Sequence, residues 1–81
     1  MELEADVTII LKKGVADPEG SNVKKALNLL GFDDVRNVRT MKTFRIDLAT
    51  EDQEKAKKDI DEMCKKLLAN PVIQTYRIEI R

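Results

Sequence analysis

The residue pattern predicts an α+β domain, with two helices on one face of a four-stranded antiparallel sheet. Three observations carry that expectation. Leu3, Ala5, Val7, Ile9 and Leu11 share one parity, which in an extended chain puts them on one face of a sheet. Val23, Ala26, Leu27 and Leu30 recur at helical spacing, as do Ala56, Ile60, Met63, Cys64 and Leu67. Between the first two patterns the stretch 12–20, Lys-Lys-Gly-Val-Ala-Asp-Pro-Glu-Gly, ends the alternation and opens the first helix.

Taken in order, the first strand is expected over 2–11. Its even positions Glu4, Asp6 and Thr8 are polar, so helices should leave the other sheet face uncovered. Asp17 then serves as N-cap and Pro18 as the first helical residue, where its missing N–H costs nothing. That helix runs to about Leu30. Gly31 stands at the left-handed C′ position, and Phe32 is placed to fold back on the last turn. Two strands follow, over 35–40 and 43–49, with a hairpin at Met41 and Lys42 between them. In the second, Phe44, Ile46 and Leu48 alternate with Arg45 and Asp47.

The second helix is expected from a capping box of Thr50 and Gln53 through to Asn70, roughly 28 Å at 1.5 Å per residue. Its outer face offers Glu51 to Lys55, Glu54 to Lys58, Asp61 to Lys65 and Glu62 to Lys66, all at i, i+4 in the favourable order. Pro71 stops it, and a last strand fills 72–80. The order is therefore β-α-β-β-α-β. Right-handed crossovers make the sheet order 4-1-3-2, the ferredoxin-like arrangement, in a single domain over residues 1–81.

Composition narrows the function. Lys plus Arg and Asp plus Glu both number 15, a balance that argues against a general nucleic-acid or acidic-lipid binder. No apolar run approaches the ~20 residues of a membrane span, and the acidic start Met-Glu-Leu-Glu is unlike a secretion signal. One cysteine forms no internal disulfide, so a reducing cytoplasm is the expected setting. Zero net charge also removes the repulsion that keeps small proteins apart, which favours an oligomer or a standing partner.

Each candidate for chemistry has a plainer reading. Without a histidine the commonest general base and metal ligand is missing. Cys64 lies on the core stripe and is expected to be a buried hydrophobe, not a nucleophile. Lys12, Lys13 and Gly14 could form a phosphate nest, but Asp17 and Glu19 hold the helix start, where an anion would sit. Asp33 and Asp34 lack the further ligands of a cation loop and read as a turn. A soft-metal carrier would need a Cys-x-x-Cys pair in the first loop, and an RNA module would need aromatics on its central strands. No catalytic, cofactor or metal residues are therefore expected. What is left is a loop that spends two glycines and a proline on a fixed shape, and an abrupt corner at Asn70 and Pro71. On a domain without reactive groups, such loops point to protein docking.

Those segments also carry a resemblance. Leu11-Lys12, then Val15-Ala16-Asp17-Pro18-Glu19-Gly20, then Val23 and Ala26-Leu27, resemble the L-K-x-x-V-x-D-P-x-G-x-x-V-x-x-A-L signature of the PurS family. PurS is the small subunit of phosphoribosylformylglycinamidine synthase. The run from Glu62 through Asn70-Pro71-Val72-Ile73 to Tyr76 is similar to its second signature, and Val35, Val38-Arg39 and Lys42 to its middle hairpin. Met41 stands where the family usually has a glycine, and Gln74-Thr75 where it often has an acidic pair.

The resemblance implies a role without chemistry of its own in purine biosynthesis. The whole enzyme, an ATP-dependent glutamine amidotransferase, turns formylglycinamide ribonucleotide, ATP and glutamine into formylglycinamidine ribonucleotide, ADP, phosphate and glutamate. A PurL-like synthetase subunit holds the nucleotides, with ATP and Mg implied there and no cofactor in this chain. A PurQ-like glutaminase subunit releases ammonia. This chain is expected to bridge the two, itself as a dimer or tetramer. The expected interface residues are Lys12, Lys13, Gly14, Asp17, Pro18, Glu19, Gly20, Lys42, Asn70 and Pro71. The alternative is a regulatory domain binding a small ligand between paired copies, for which Gly14 and Gly20 give slight support.

Overall fold

A computed structural model of the chain describes residues 2–81. Strand β1 (Leu3–Leu11) is the centre of a three-stranded sheet. It pairs antiparallel with β2 (Met41–Leu48) on one side and β3 (Gln74–Ile80) on the other, so that Val7 lies opposite both Phe44 and Ile78. Helix α1 (Pro18–Leu29) leaves from the end of β1. Helix α2 (Gln53–Met63) continues into a π-helical turn, Cys64–Leu68, before β3. The core forms where α2 and that turn cross the odd face of β1, with Ile60, Cys64 and Ala56 buried as are Ala5, Val7 and Ile9.

The opposite face is polar, as the alternation requires. Asp6 accepts hydrogen bonds from Arg45 Nε at 2.9 Å and from Arg81 Nη2 at 2.6 Å, and the hydroxyls of Thr8 and Thr43 meet at 3.1 Å. The Arg45 hydrogen bond holds the Asp6 carboxyl below its usual range. Among the described residues no helix is long and apolar enough to cross a membrane.

The expected four-stranded sheet of order 4-1-3-2 is not formed. The order is β2-β1-β3, and residues 35–40 pair with no strand. Their polar groups are taken up on the helix side instead. Gly31 turns the chain with φ of 101°, and Asn28 Nδ2 donates to the carbonyls of Phe32 (2.9 Å) and Val35 (3.4 Å). Thr40 N–H then donates to Asp17 Oδ2 at 2.7 Å. The segment therefore returns along α1 and passes straight into β2 at Met41. No hairpin exists at Met41 and Lys42, so no turn there requires a glycine.

Nor do both helices lie on one face. The close contacts join β1 to both other strands and α2 to β3, and α1 packs closely on none of these elements. Its start is right: Asp17 caps it by accepting from Gly20 N–H at 2.9 Å, with Pro18 behind. So is its end, where Phe32 N–H reaches Leu27 O (3.0 Å) and Gly31 N–H reaches Asn28 O (3.1 Å). A well-formed helix is carried off the sheet. Nine strand residues span about 30 Å and twelve helical residues about 18 Å, and the molecule is 48 Å long and 14 Å thick. Helix α1 and the return segment thus make an arm projecting past the end of the sheet.

Helix α2 differs from expectation at both ends. Its N-cap is Asp52, whose Oδ1 accepts from Glu54 N–H (3.1 Å) and Lys55 N–H (3.2 Å), while Thr50 Oγ1 accepts from Asp52 N–H. A carboxylate outcompetes the hydroxyl for that place because it also favours the positive end of the helix dipole. At the far end the helix does not reach Asn70. Ala69 N–H bonds Cys64 O at 3.0 Å across a widened turn. The widening rotates the register, leaving Leu67 83% exposed and putting Leu68 and Ala69 against the core in its place. On the outer face Asp61–Lys65 (2.9 Å) and Glu62–Lys66 (3.8 Å) pair, and Lys55 turns to Asp59 at 3.3 Å. The last strand begins at Gln74, two residues later than expected.

Candidate functional site: a docking surface at one end of the sheet

Because β1 runs antiparallel to both neighbours, its end at Leu11 lies beside the starts of β2 and β3. The topology thereby gathers three segments widely separated in sequence. These are the loop 12–17, the first residues of β2 including Lys42, and the corner at Asn70 and Pro71.

The loop and the corner are joined directly. Lys12 Nζ donates to Pro71 O at 2.7 Å, and Lys12 N–H to Ile73 O at 2.8 Å. Asn70 builds the corner. Its carbonyl accepts from Gln74 N–H (2.7 Å) and Ile73 N–H (3.2 Å), and its Oδ1 accepts from Val72 N–H (3.0 Å). Gln74 closes it, its Oε1 accepting from Asn70 N–H at 2.7 Å. The residue that departs from the family's acidic pattern is thus tied into the corner. Lys13 and Gly14 form the exposed tip. Val15 N–H turns back to Lys12 O at 3.1 Å, and Gly14 adopts φ of 89°, which a side chain would strain.

Asp17 is the hinge pin of the arm. Besides Gly20 N–H, its oxygens accept from both the backbone N–H and the hydroxyl of Thr40. The Thr40 backbone bond and then the Gly20 bond hold its carboxyl below the usual range. Gly20 has a steric duty. A Cβ there would stand 2.3 Å from Val38 O and 2.9 Å from Asp17 Oδ2, so only glycine lets the return segment lie this close. Pro18 and Glu19 are exposed on the first turn of α1. Lys42 lies on β2 with its ammonium 5.6 Å from the Phe44 ring centroid, a cation–π contact.

Between this loop, the arm root and residues 37–41 lies an open cleft of about 370 Å³. Lys13, Lys24 and Arg39 line it together with Val15 and Asp17. Sequence reasoning missed Thr40 and Arg39, since both sit in a segment expected to be an edge strand. The pairing of Asp17 with Thr40 spans 23 residues and leaves no local periodicity to find. Cys64 is buried, and burial pushes its thiol up, away from the thiolate a nucleophile needs. Among the described residues no cluster of acidic or thiol side chains could hold a metal ion.

This geometry has close counterparts. The family model for PurS, phosphoribosylformylglycinamidine (FGAM) synthase, matches residues 4–81. The chain belongs to the PurS family. A subunit PurS from Archaeoglobus fulgidus is 61% identical over 91% of this chain and 92% of its own length. One from Methanocaldococcus jannaschii is 52% identical over 95% and 93%. The crystal structure of M. jannaschii PurS, a subunit of formylglycinamide ribonucleotide amidotransferase, aligns with a TM-score of 0.87 at 51% identity, covering 98% of this chain and 95% of that one. A chain of the Thermotoga maritima PurLQS structure has the same fold, with a TM-score of 0.90 at 23% identity.

Proposed function

We propose that this chain is the non-catalytic assembly subunit of FGAM synthase, docking a PurQ-like glutaminase against a PurL-like synthetase so that ammonia passes between them. The observation that carries this reading is the match to PurS along nearly the whole chain, at up to 61% identity with relatives named as that subunit. The existence of a PurLQS structure in T. maritima supports the same partners. A surface built from cross-bonded loops and lacking a histidine or an accessible thiol suits positioning work. The docking residues are Lys12, Lys13, Gly14, Asp17, Pro18, Glu19, Gly20, Asn70 and Pro71 at the sheet end, with Lys42 beside them. The complex works in the cytoplasm.

Reconstitution tests the reading. The PurL-like and PurQ-like subunits are assayed with glutamine and with ammonium salt, with and without this chain. Glutamine-dependent synthesis should require the chain, while ammonia-dependent synthesis should not. Full glutamine-dependent activity in its absence would end the proposal.

A further inference from the structure

The cleft at the root of the arm concentrates a charge that the chain as a whole lacks. Lys plus Arg and Asp plus Glu balance at 15 each. Yet four cations line this cleft, Lys12, Lys13, Lys24 and Arg39, against the single carboxylate of Asp17. That carboxylate is already engaged, its oxygens accepting from Gly20 N–H and from both donors of Thr40. Lys12 gives its ammonium to the neutral carbonyl of Pro71, which leaves the charge uncompensated. Lys13, Lys24 and Arg39 have no hydrogen-bond acceptor and no ion-pair partner among the described residues. By contrast, Arg45 and Arg77 on the sheet and Lys55 and Lys65 on the α2 side each face a carboxylate. Cations gathered without counter-charges in a concave site raise the local potential for an anionic guest.

The build of the cleft selects among anions. The backbone amides that would cradle a lone phosphate are consumed, since Val15 N–H bonds Lys12 O and the Gly20 and Thr40 amides bond Asp17. The three unpaired cations instead stand at the ends of long side chains on separate elements: Lys13 on the loop, Lys24 on α1 and Arg39 on the return segment. Such an array suits carboxylates spread along a chain better than one compact ion. Val15 and Val38, both half-buried, line the same cleft and offer apolar contact among the charges. A volume of about 370 Å³ admits a few side chains of a visiting segment. A peptide that sets an apolar residue among acidic ones meets both features.

We infer that this cleft receives an acidic segment of one partner subunit, whose carboxylates pair with Lys13, Lys24 and Arg39 while an apolar side chain lies against Val15 and Val38. The inference rests on the assembly reading and deepens it. It gives the surface at the sheet end a chemistry, and it adds Lys24 and Arg39 to the residues that recognise the partner. Because these charges are open to solvent at the cleft mouth, the attraction is of the kind that salt screens.

Binding of the full chain to the PurL-like and PurQ-like subunits is measured by fluorescence anisotropy, with the substrates of the reaction present. Wild type is compared with Lys24→Glu, Arg39→Glu and a control, Lys57→Glu, which makes the same kind of charge change on α2 outside the cleft. In about 0.1 M salt both cleft variants should bind one subunit roughly tenfold or more weakly while the control matches wild type. The gap should narrow in about 1 M salt, where the screening length falls to about 3 Å. A carbodiimide, which joins a lysine amine directly to a carboxylate, is then applied to the wild-type complex. Lys13 or Lys24 should be found joined to an Asp or Glu of that subunit, a result that holds even if a variant misfolds. Wild-type affinity in both folded variants would overturn the inference and leave the assembly reading standing. So would a bound complex in which these lysines join no partner carboxylate, or only those of a second copy of the chain. Failure of the wild-type chain to bind either subunit would end both. Binding of inorganic pyrophosphate by the free chain, abolished in Lys24→Glu, would make the cleft a small-anion pocket and overturn the docking inference.

Discussion

The sheet with α2 and the arm with α1 are built from the same kind of sequence and end in opposite states. Both helices carry an apolar stripe at three- and four-residue spacing, a carboxylate N-cap and an orderly start. In α2 the stripe is sealed, with Ala56, Ile60 and Cys64 buried against β1. In α1 Val23 and Leu30 of the stripe are exposed and Leu27 is only half-buried. The difference lies in what the flanking segments do, since α2 is followed by a strand that returns to β1 and α1 by an irregular segment that returns along α1. A hydrophobic stripe marks a face fit for burial, and connectivity decides whether its own chain brings a surface to it.

That contrast can be pressed at several points. The largest effect is expected in the body: Ile60→Ala empties a fully buried site and should cost about 2–5 kcal/mol in denaturant unfolding. If the loss were negligible, the α2 face would not be the core. At the arm root, Gly20→Ala places a methyl against Val38 O and should cost about 1–3 kcal/mol. Hydrogen exchange should then quicken through residues 35–40 while β1 stays protected; uniform quickening would mean that the arm and body unfold as one.

Acid should act on both regions. Asp6 is held down chiefly by Arg45, Asp17 by the Thr40 backbone and Asp61 by the Tyr76 hydroxyl. Each carboxyl titrates lower in the folded state than when unfolded. Its contribution is therefore complete above the ordinary value of about 3.9 and lost as pH falls below it through the folded value. Unfolding followed against pH should steepen below about 4, and Asp17→Asn should remove the arm's share while leaving that of β1 and α2. An unchanged profile in Asp17→Asn would deny the hinge its charge. The smallest effect is expected at Leu67→Ala, within about 0.5 kcal/mol because that side chain faces solvent. A loss of several kcal/mol there would restore the unbroken helix.

Much of the fold was legible from local chemistry. The parity of β1, the cap at Asp17 and the left-handed Gly31 each rest on a residue and its near neighbours, and each stands as read, whereas the helix expected to run on to Pro71 ends earlier, at Leu68. The errors share a cause. Residues 35–40 were expected to pair because they look extended, yet extension says nothing about a neighbouring strand. Leu67 was assigned to the core by an unbroken 3.6-residue period, which the π-helical turn shifts at Cys64 without any proline or glycine to announce it. The Thr50–Gln53 spacing points to Thr50 as the cap, whereas Asp52, two residues on, caps the helix by accepting from the Glu54 and Lys55 amides, and Thr50 accepts only from Asp52 N–H. At the site, the loop and the corner could each be marked as shaped. Their meeting through Lys12 and Pro71 depends on strand order, 59 residues apart along the chain.

The Lys12–Pro71 bond bears on how any complex would behave in time. Loops already fastened to each other have little freedom left to surrender when another protein lands on them, so association carries a small ordering cost. Altering the contact residues then changes chiefly how long a partner stays and only slightly how often it arrives. At the docking surface proposed above, such a brace between two turns would act as a timer for the assembly.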